Sequence, residues 1–130
     1  MRLLLDTHIW LWSLLEPERL APRVAAALED GSNELWLSPV SVWEALLLAE
    51  RGRLEPAGDP ETWVRGALAA LSVRDAPLTR EVAIVSRGLD LAHEDPADRF
   101  IAASAVVHDL TLVTADSRLL GSSSYQVLAG

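Results

Sequence analysis

The sequence contains no cysteine and no lysine. Without cysteine there is no disulfide framework, no zinc–thiolate site and no thiol nucleophile. The missing disulfides fit a cytoplasmic setting. All eleven basic residues are arginine, whose planar fork favours bidentate contacts with carboxylate or phosphate. Positive charge is scarce: the formal net charge is −8. Nucleic-acid binders usually carry a basic patch, so this balance counts against broad electrostatic attraction of RNA or DNA. Divalent ions held by clustered acids would reverse that field locally. No uncharged stretch is long enough to span a bilayer. Met1–Leu5 begins like a secretory leader, but Asp6 and His8 interrupt the apolar run and no small-residue cleavage site follows. The dinucleotide-binding G-x-G-x-x-G, the phosphate-cradling G-x-x-x-x-G-K-[ST] and the G-x-S-x-G nucleophile elbow are all missing.

What remains is a chain of 130 residues, half of them hydrophobic, enough for a single domain over residues 1–130 with its own core. Short, continuously apolar runs at about 2–6, 34–38, 111–114 and 125–128, with a weaker one near 72–75, read as strands buried on both faces. Helical segments at about 8–15, 21–30, 40–51, 60–71, 79–89 and 97–108 alternate with them. Pro22 and Pro96 fall near helix starts; Gly31, Gly52 and Gly121 fall near helix ends. The segment Glu55–Pro60 reads as a loop. This alternation predicts an α/β fold with a parallel sheet and right-handed crossovers.

Four carboxylates sit where a strand run ends or a helix begins. Asp6 closes Leu3-Leu4-Leu5. Glu44 lies early in the helix after Leu35-Trp36-Leu37. Asp98 stands at the head of the 97–108 helix. Asp116 follows Leu112-Val113-Thr114. Ligands of open parallel sheets bind outside the carboxyl ends of the strands. Four acids there repel one another unless a cation compensates them, and hard oxygen donors suit Mg²⁺ or Mn²⁺. The pattern points to metal-assisted chemistry on a phosphate ester.

Each acid also has a capping explanation. Ser41-Val42-Trp43-Glu44 fits a capping box with Ser41 as N-cap. Asp95-Pro96-Ala97-Asp98 fits an N-cap followed by a first-turn acid. Asp116 fits a cap of the turn Ser117–Leu120, and Asp6 a cap of the helix near His8. Singly, caps account well for Glu44 and Asp116. Asp6 resists, because an unpaired carboxylate at the end of a central strand is expensive. The caps leave unexplained why all four occur at one sheet edge; a shared cation explains that with one cause. Among the other polar residues, Thr114 either orients a ligand or ends a strand. His8 and His93 approach the site or are structural. Arg99 binds phosphate or pairs with a neighbouring acid, Asp95 caps, and Glu94 is solvated.

Leu4-Leu5-Asp6-Thr7-His8, Ser41-Val42-Trp43-Glu44, His93-Glu94-Asp95-Pro96-Ala97-Asp98-Arg99-Phe100-Ile101-Ala102-Ala103 and Leu112-Val113-Thr114-Ala115-Asp116 together closely resemble the PIN-domain family. The resemblance is strongest to the VapC-type toxins of bacterial toxin–antitoxin pairs. It covers nearly the whole chain. It implies a PIN-like three-layer fold with strand order 3-2-1-4-5 and a Mg²⁺- or Mn²⁺-dependent endoribonuclease. Asp6, Glu44, Asp98 and Asp116 match the family's acidic set, with Asp6 and Asp98 as principal metal ligands and Thr114 beside them. It also implies an RNA substrate, homodimerisation and a cognate antitoxin. Two other readings stand beside it. One is a phosphatase of the haloacid-dehalogenase kind, although His8 occupies the position where that chemistry needs a second Asp. The other is a PIN-like binding module without turnover.

Two helices look too apolar for ordinary surface helices. His8–Leu15 reads His-Ile-Trp-Leu-Trp-Ser-Leu-Leu, and Ala45–Ala49 reads Ala-Leu-Leu-Leu-Ala. Both should be covered on two sides, by the sheet and by an antitoxin segment, a second copy or an additional covering helix. Trp10 and Trp12 should point in different directions, one to the core and one to a groove.

Overall fold

In the computed structural model, residues 1–53 and 59–130 are described. The loop expected over Glu55–Pro60 therefore lies in part outside the described residues. The apolar runs form strands β1 (Arg2–Leu5), β2 (Glu34–Leu37), β3 (Arg74–Asp75), β4 (Thr111–Thr114) and β5 (Val127–Ala129). They make one sheet in the order β3-β2-β1-β4-β5, with every neighbouring pair parallel. This is the order the family resemblance implies. β1 lies at the centre, its Leu4 in register with Trp36 on one side and Leu112 on the other.

Alternation along β1 creates two cores. Leu3 and Leu5 join Leu35, Leu37 and Val113 on one face, under α1 (Thr7–Leu15), α2 (Pro22–Glu29), α3 (Pro39–Glu50) and α4 (Pro60–Ala70). Leu4 joins Leu112 on the other, against Ile101 and Ala105 of α6 (Pro96–Val107) and Leu119 of α7 (Ser117–Leu120). The strongly amphipathic α5 (Arg80–Arg87) precedes α6 and packs against it. Burial of both sheet faces is why these strands are apolar without alternation.

The helix starts follow proline chemistry. Pro22, Pro39, Pro60 and Pro96 all occupy the first turn of their helices, where a missing N–H costs nothing. At α3 this corrects the expected capping box. Pro39 moves the helix start forward, so Ser38 is the N-cap and its Oγ accepts from the Val40 N–H at 3.1 Å. Ser41 is then inside the helix, and Glu44 stands too far along it to reach back to a cap. At the other end of α3, Gly52 takes φ +71° while the Arg53 N–H bonds to Leu48 O at 2.9 Å, a left-handed stop that glycine tolerates best. The other expected caps are present: Asp95 receives the Asp98 N–H at 3.1 Å, Asp116 receives the Arg118 N–H at 2.9 Å, and Asp6 receives the Thr7 N–H at 2.8 Å.

The two weakest strands differ most from expectation. β3 has only two residues, tied on by the Ala76 N–H to Leu37 O at 2.9 Å. β5 begins at Val127 rather than 125, because the Tyr125 hydroxyl is drawn to Leu119 O at 2.7 Å. No helix among the described residues is long and apolar enough to cross a membrane.

The revised α3 start is directly testable. Ser38→Ala should destabilise the protein by about 1–2 kcal/mol, the usual loss for an N-cap hydroxyl. Urea denaturation should show a lower midpoint with an unchanged slope.

Candidate metal centre

Strand order reverses between β1 and β4, and the carboxyl ends of those strands open a crevice there. A cleft of about 310 Å³ occupies it, walled by Asp6, Glu44, Asp95, Asp98 and Asp116, with His8, Trp12, Ala115 and Arg118 at its sides. Four elements deliver the acids: the end of β1, the second turn of α3, the first turn of α6, and the turn after β4.

Asp6 is the most buried of them, 5% exposed. Its Oδ1 accepts the Thr7 N–H at 2.8 Å. Its Oδ2 accepts the Thr114 hydroxyl at 2.7 Å. That hydroxyl in turn accepts the Asp116 N–H at 3.0 Å, linking β1 to the β4 turn. Burial pushes the Asp6 carboxyl above its ordinary range; the Thr114 hydrogen bond opposes this and the Asp98 charge adds to it. Burial likewise raises Glu44, opposed by its bond from Thr7 and reinforced by Asp98 and Asp6. Asp98 is raised by burial too, against a hydrogen bond from His93. Asp116 goes the other way. Arg118 grips it through Nη2 at 2.8 Å and Nε at 3.1 Å and holds its carboxyl below the usual range.

Three carboxyls whose charged form is disfavoured by burial and by one another would be compensated by a bound cation. The donors are hard oxygens, so the set fits Mg²⁺ or Mn²⁺. The acids are not equally close. Among the described residues, His93, Asp98 and Asp116 bring one donor atom each within 4.8 Å of one another. Asp6 and Glu44 line the same cleft outside that tight group.

Several partners were not visible as such in the sequence. The Thr7 hydroxyl donates to Glu44 Oε1 at 2.5 Å and lies 2.8 Å from Ser41 Oγ, so Thr7 and Ser41 orient Glu44 from α1 and α3. A hydroxyl directly after Asp6 was the available signal. His93 is no loop bystander: its Nε2 lies 2.6 Å from Asp98 Oδ2, with side-chain exposures of 10% and 15%. His8 stays exposed at the rim. Arg99 pairs with the neighbouring acid Glu94, as expected, but its main contacts are elsewhere. It is buried at 4% exposure, and its guanidinium donates to Ser86 O at 2.9 Å, Leu91 O at 2.6 Å and His93 O at 3.0 Å. The ion pair with Glu94 is the longest of these contacts, at 3.8 Å. Glu94 is exposed, as expected.

The chain is thus of the class with a parallel α/β sheet and carboxylates gathered at its switch point. The family model described as PIN domain matches residues 3–121, and the chain belongs to that family. Ribonuclease VapC22 of Mycobacterium tuberculosis (strain ATCC 25618 / H37Rv) is 37% identical over 117 residues, which is 89% of this chain and 88% of that protein. Among solved structures, a chain of VapBC2 from Rickettsia felis bound to a DNA fragment from their promoter shares the fold. Its TM-score is 0.75 at 16% identity, covering 100% of this chain and 99% of that one. A chain of FitAcB from Neisseria gonorrhoeae matches with a TM-score of 0.58 at 26% identity, covering 97% and 96%. Membership of this family decides against the haloacid-dehalogenase alternative.

The raised carboxyls set the pH dependence of the metal-free protein. Asp6, Glu44 and Asp98 hold protons more tightly when folded than when unfolded, so folding is favoured by protonation and stability falls as pH rises through the folded-state values. In chelator, the melting temperature should rise on acidification from neutrality towards the ordinary carboxylate range. Asp6→Asn should flatten part of that slope and raise the neutral-pH melting temperature. A melting temperature that drops steadily over the same acidification contradicts the electrostatic account of the cleft.

Proposed function

We propose that this protein is a divalent-metal-dependent endoribonuclease, the toxin of a toxin–antitoxin pair acting in the cytoplasm. Asp6, Glu44, Asp98 and Asp116 form its catalytic and metal-binding set, with Mg²⁺ or Mn²⁺ as cofactor. The observation that carries this reading is the burial of Asp6 beside other raised carboxyls, in a chain of this family that is 37% identical to a protein named as a ribonuclease.

Asp6 and Asp98 are the principal ligands. The Thr7 N–H and the Thr114 hydroxyl fix both oxygens of Asp6. The Thr7 hydroxyl aims Glu44 into the cleft, where it orients or accepts a proton from an attacking water. A divalent ion held by these carboxylates would supply Lewis acidity, lowering the pKa of a bound water and offsetting charge on the phosphate. No side-chain nucleophile is needed, and the hydroxyls of Thr7, Ser41 and Thr114 are all buried and already engaged. Arg118, 62% exposed at its side chain, swings from Asp116 towards the solvent edge to meet an RNA phosphate.

The partner reading rests on α1. Trp10 is fully buried while Trp12 is half-buried, the divergence expected of two indoles two positions apart. A groove of about 580 Å³ runs beside α1, lined by Leu11, Trp12, Leu15, Glu16, Arg19 and Leu48 among others. Arg19 lies 4.2 Å over the Trp12 ring. His8 and Arg53 complete its lining, so an amphipathic antitoxin segment fits this groove. VapBC-5 from Mycobacterium tuberculosis, another solved structure that shares this fold, is described as a member of the VapBC family of toxin–antitoxin systems, and a homodimer of this chain would use the remaining exposed apolar residues.

Three outcomes follow. Asp6→Asn should abolish divalent-dependent RNA cleavage while the protein stays folded by circular dichroism; full cleavage by that variant, or undiminished wild-type cleavage after thorough chelation, overturns the assignment. Glu44→Gln should lose activity by about two orders of magnitude, the scale of a positioned acid–base group, without a comparable loss of thermal stability. RNA left intact by folded, metal-loaded wild type would favour a binding module without turnover. Trp12 borders both the groove and the acidic cleft, so the partner test belongs at Leu15, which is 46% exposed. Leu15→Gln should weaken antitoxin binding about tenfold, as for an apolar interface anchor worth roughly 1.4 kcal/mol, with cleavage retained; calorimetry with the purified partner measures it.

A further inference from the structure

We infer that Trp43 is a nucleobase platform: the groove it walls beside the acidic cleft takes one unpaired base of an RNA strand whose phosphate lies at the carboxylates. The inference rests on the ribonuclease reading above and names how that same site holds its substrate.

The groove is continuous with the cleft. It encloses about 250 Å³ between α3 and the first turn of α6, and His8, Glu44 and Asp95 line both spaces. Trp43 and Leu47, one turn apart on α3, line one side; Pro96 and Ala97 line the other. Of the five tryptophans Trp43 alone is exposed, with 56% of its surface in solvent. Successive residues on a helix diverge by about 100°. Glu44 therefore turns into the cleft, where Thr7 holds it, while Trp43 serves the groove outside. One helical turn thus carries both an acid aimed at the phosphate and a ring for the adjoining base. Arg51, exposed, lines the groove two turns further on. It stands about 10 Å along the α3 axis from Glu44, at about 1.5 Å per residue, where a neighbouring phosphate would pass.

The charge balance says why the occupant is a base. A net charge of −8 gives little long-range hold on a polyanion, and the carboxylates at the inner end of the groove penalise an anionic occupant. A nucleobase is neutral and planar, and every base offers a face that stacks on an indole. Single-stranded RNA is commonly held in this way. Stacking at Trp43 supplies affinity that charge does not. Ile84 and Leu78, exposed and outside this groove, remain for a second copy.

Fluorescence anisotropy on the full-length protein tests this, with a ten-nucleotide oligoadenylate and its abasic sugar–phosphate counterpart as probes. Ca²⁺ replaces the catalytic ion so that the strand is held without turnover. Wild type should bind the base-bearing strand about tenfold more tightly than the abasic one, the scale of a single base–aromatic stack. Trp43→Ala should lose that difference, and Trp43→Phe should keep most of it. In cleavage assays Trp43→Ala should lower kcat/KM about tenfold, mainly through KM. The logarithm of affinity should fall against that of salt with a slope of only about −1.4, at about −0.7 per contact for Arg51 and Arg118. Equal binding of both strands by a wild type that cleaves RNA overturns the inference and leaves the ribonuclease reading standing. A salt slope more than twice as steep overturns it in favour of phosphate attraction. Unchanged RNA affinity in Trp43→Ala also overturns it. A smaller sedimenting species would then assign the groove to a second copy, and weakened antitoxin binding would assign it to the antitoxin. Folded, metal-loaded wild type that neither binds nor cleaves RNA removes both readings.

Discussion

A carboxylate is fixed at the end of the central strand, where the fold leaves it almost no water. Asp6 follows three leucines that are fully buried in the two cores, so its position is dictated by the packing of the sheet. The energetic cost of a charge there is large. It is met in part by the Thr7 N–H and the Thr114 hydroxyl, and it is increased by Asp98. The other site residues answer to this one. Thr114 ties Asp6 to the Asp116 turn, and Thr7 ties the same corner to Glu44. The cleft is thus a single hydrogen-bonded unit built around an electrostatic deficit, rather than four independent acids that happen to converge.

That deficit also puts the acidic composition in context. A net charge of −8 opposes long-range attraction of a polyanion. The balance at the cleft is decided over a few ångströms instead, by the carboxylates and Arg118. Arginine alone supplies the positive charge, and its uses here divide by burial. Arg118 is exposed and reversible in its contact. Arg99 is buried and spent on backbone carbonyls.

The fold was legible because its signals are local. Continuous apolar runs mark strands covered on both faces, and Pro22 and Pro96 mark helix starts. The error at α3 came from weighing Ser41 without Pro39, whose fixed φ and missing N–H put the cap at Ser38. The strand bounds failed where side chains rather than patterning decide, at Tyr125 and at the two-residue edge β3. The four acids could be picked out by position relative to strand and helix ends. Their supporting contacts could not, because they join residues distant in sequence: Thr7 with Glu44, and Thr114 with Asp6. Local spacing could have raised His93, five residues before Asp98. A lone histidine in a loop carries no direction until the fold supplies its neighbour.

The carbonyl-bound guanidinium of Arg99 has a consequence for how the protein moves. It joins the end of α5, the segment through Leu91 and His93, and the first turn of α6. None of these can leave without stranding a buried cation, so they open together or not at all, as one cooperative unit. Backbone amides from Ser86 to Arg99 should then share a common slow exchange regime despite the lack of regular secondary structure between the helices. The irregular stretch beside the cleft is in that sense as stiff as the helices that flank it.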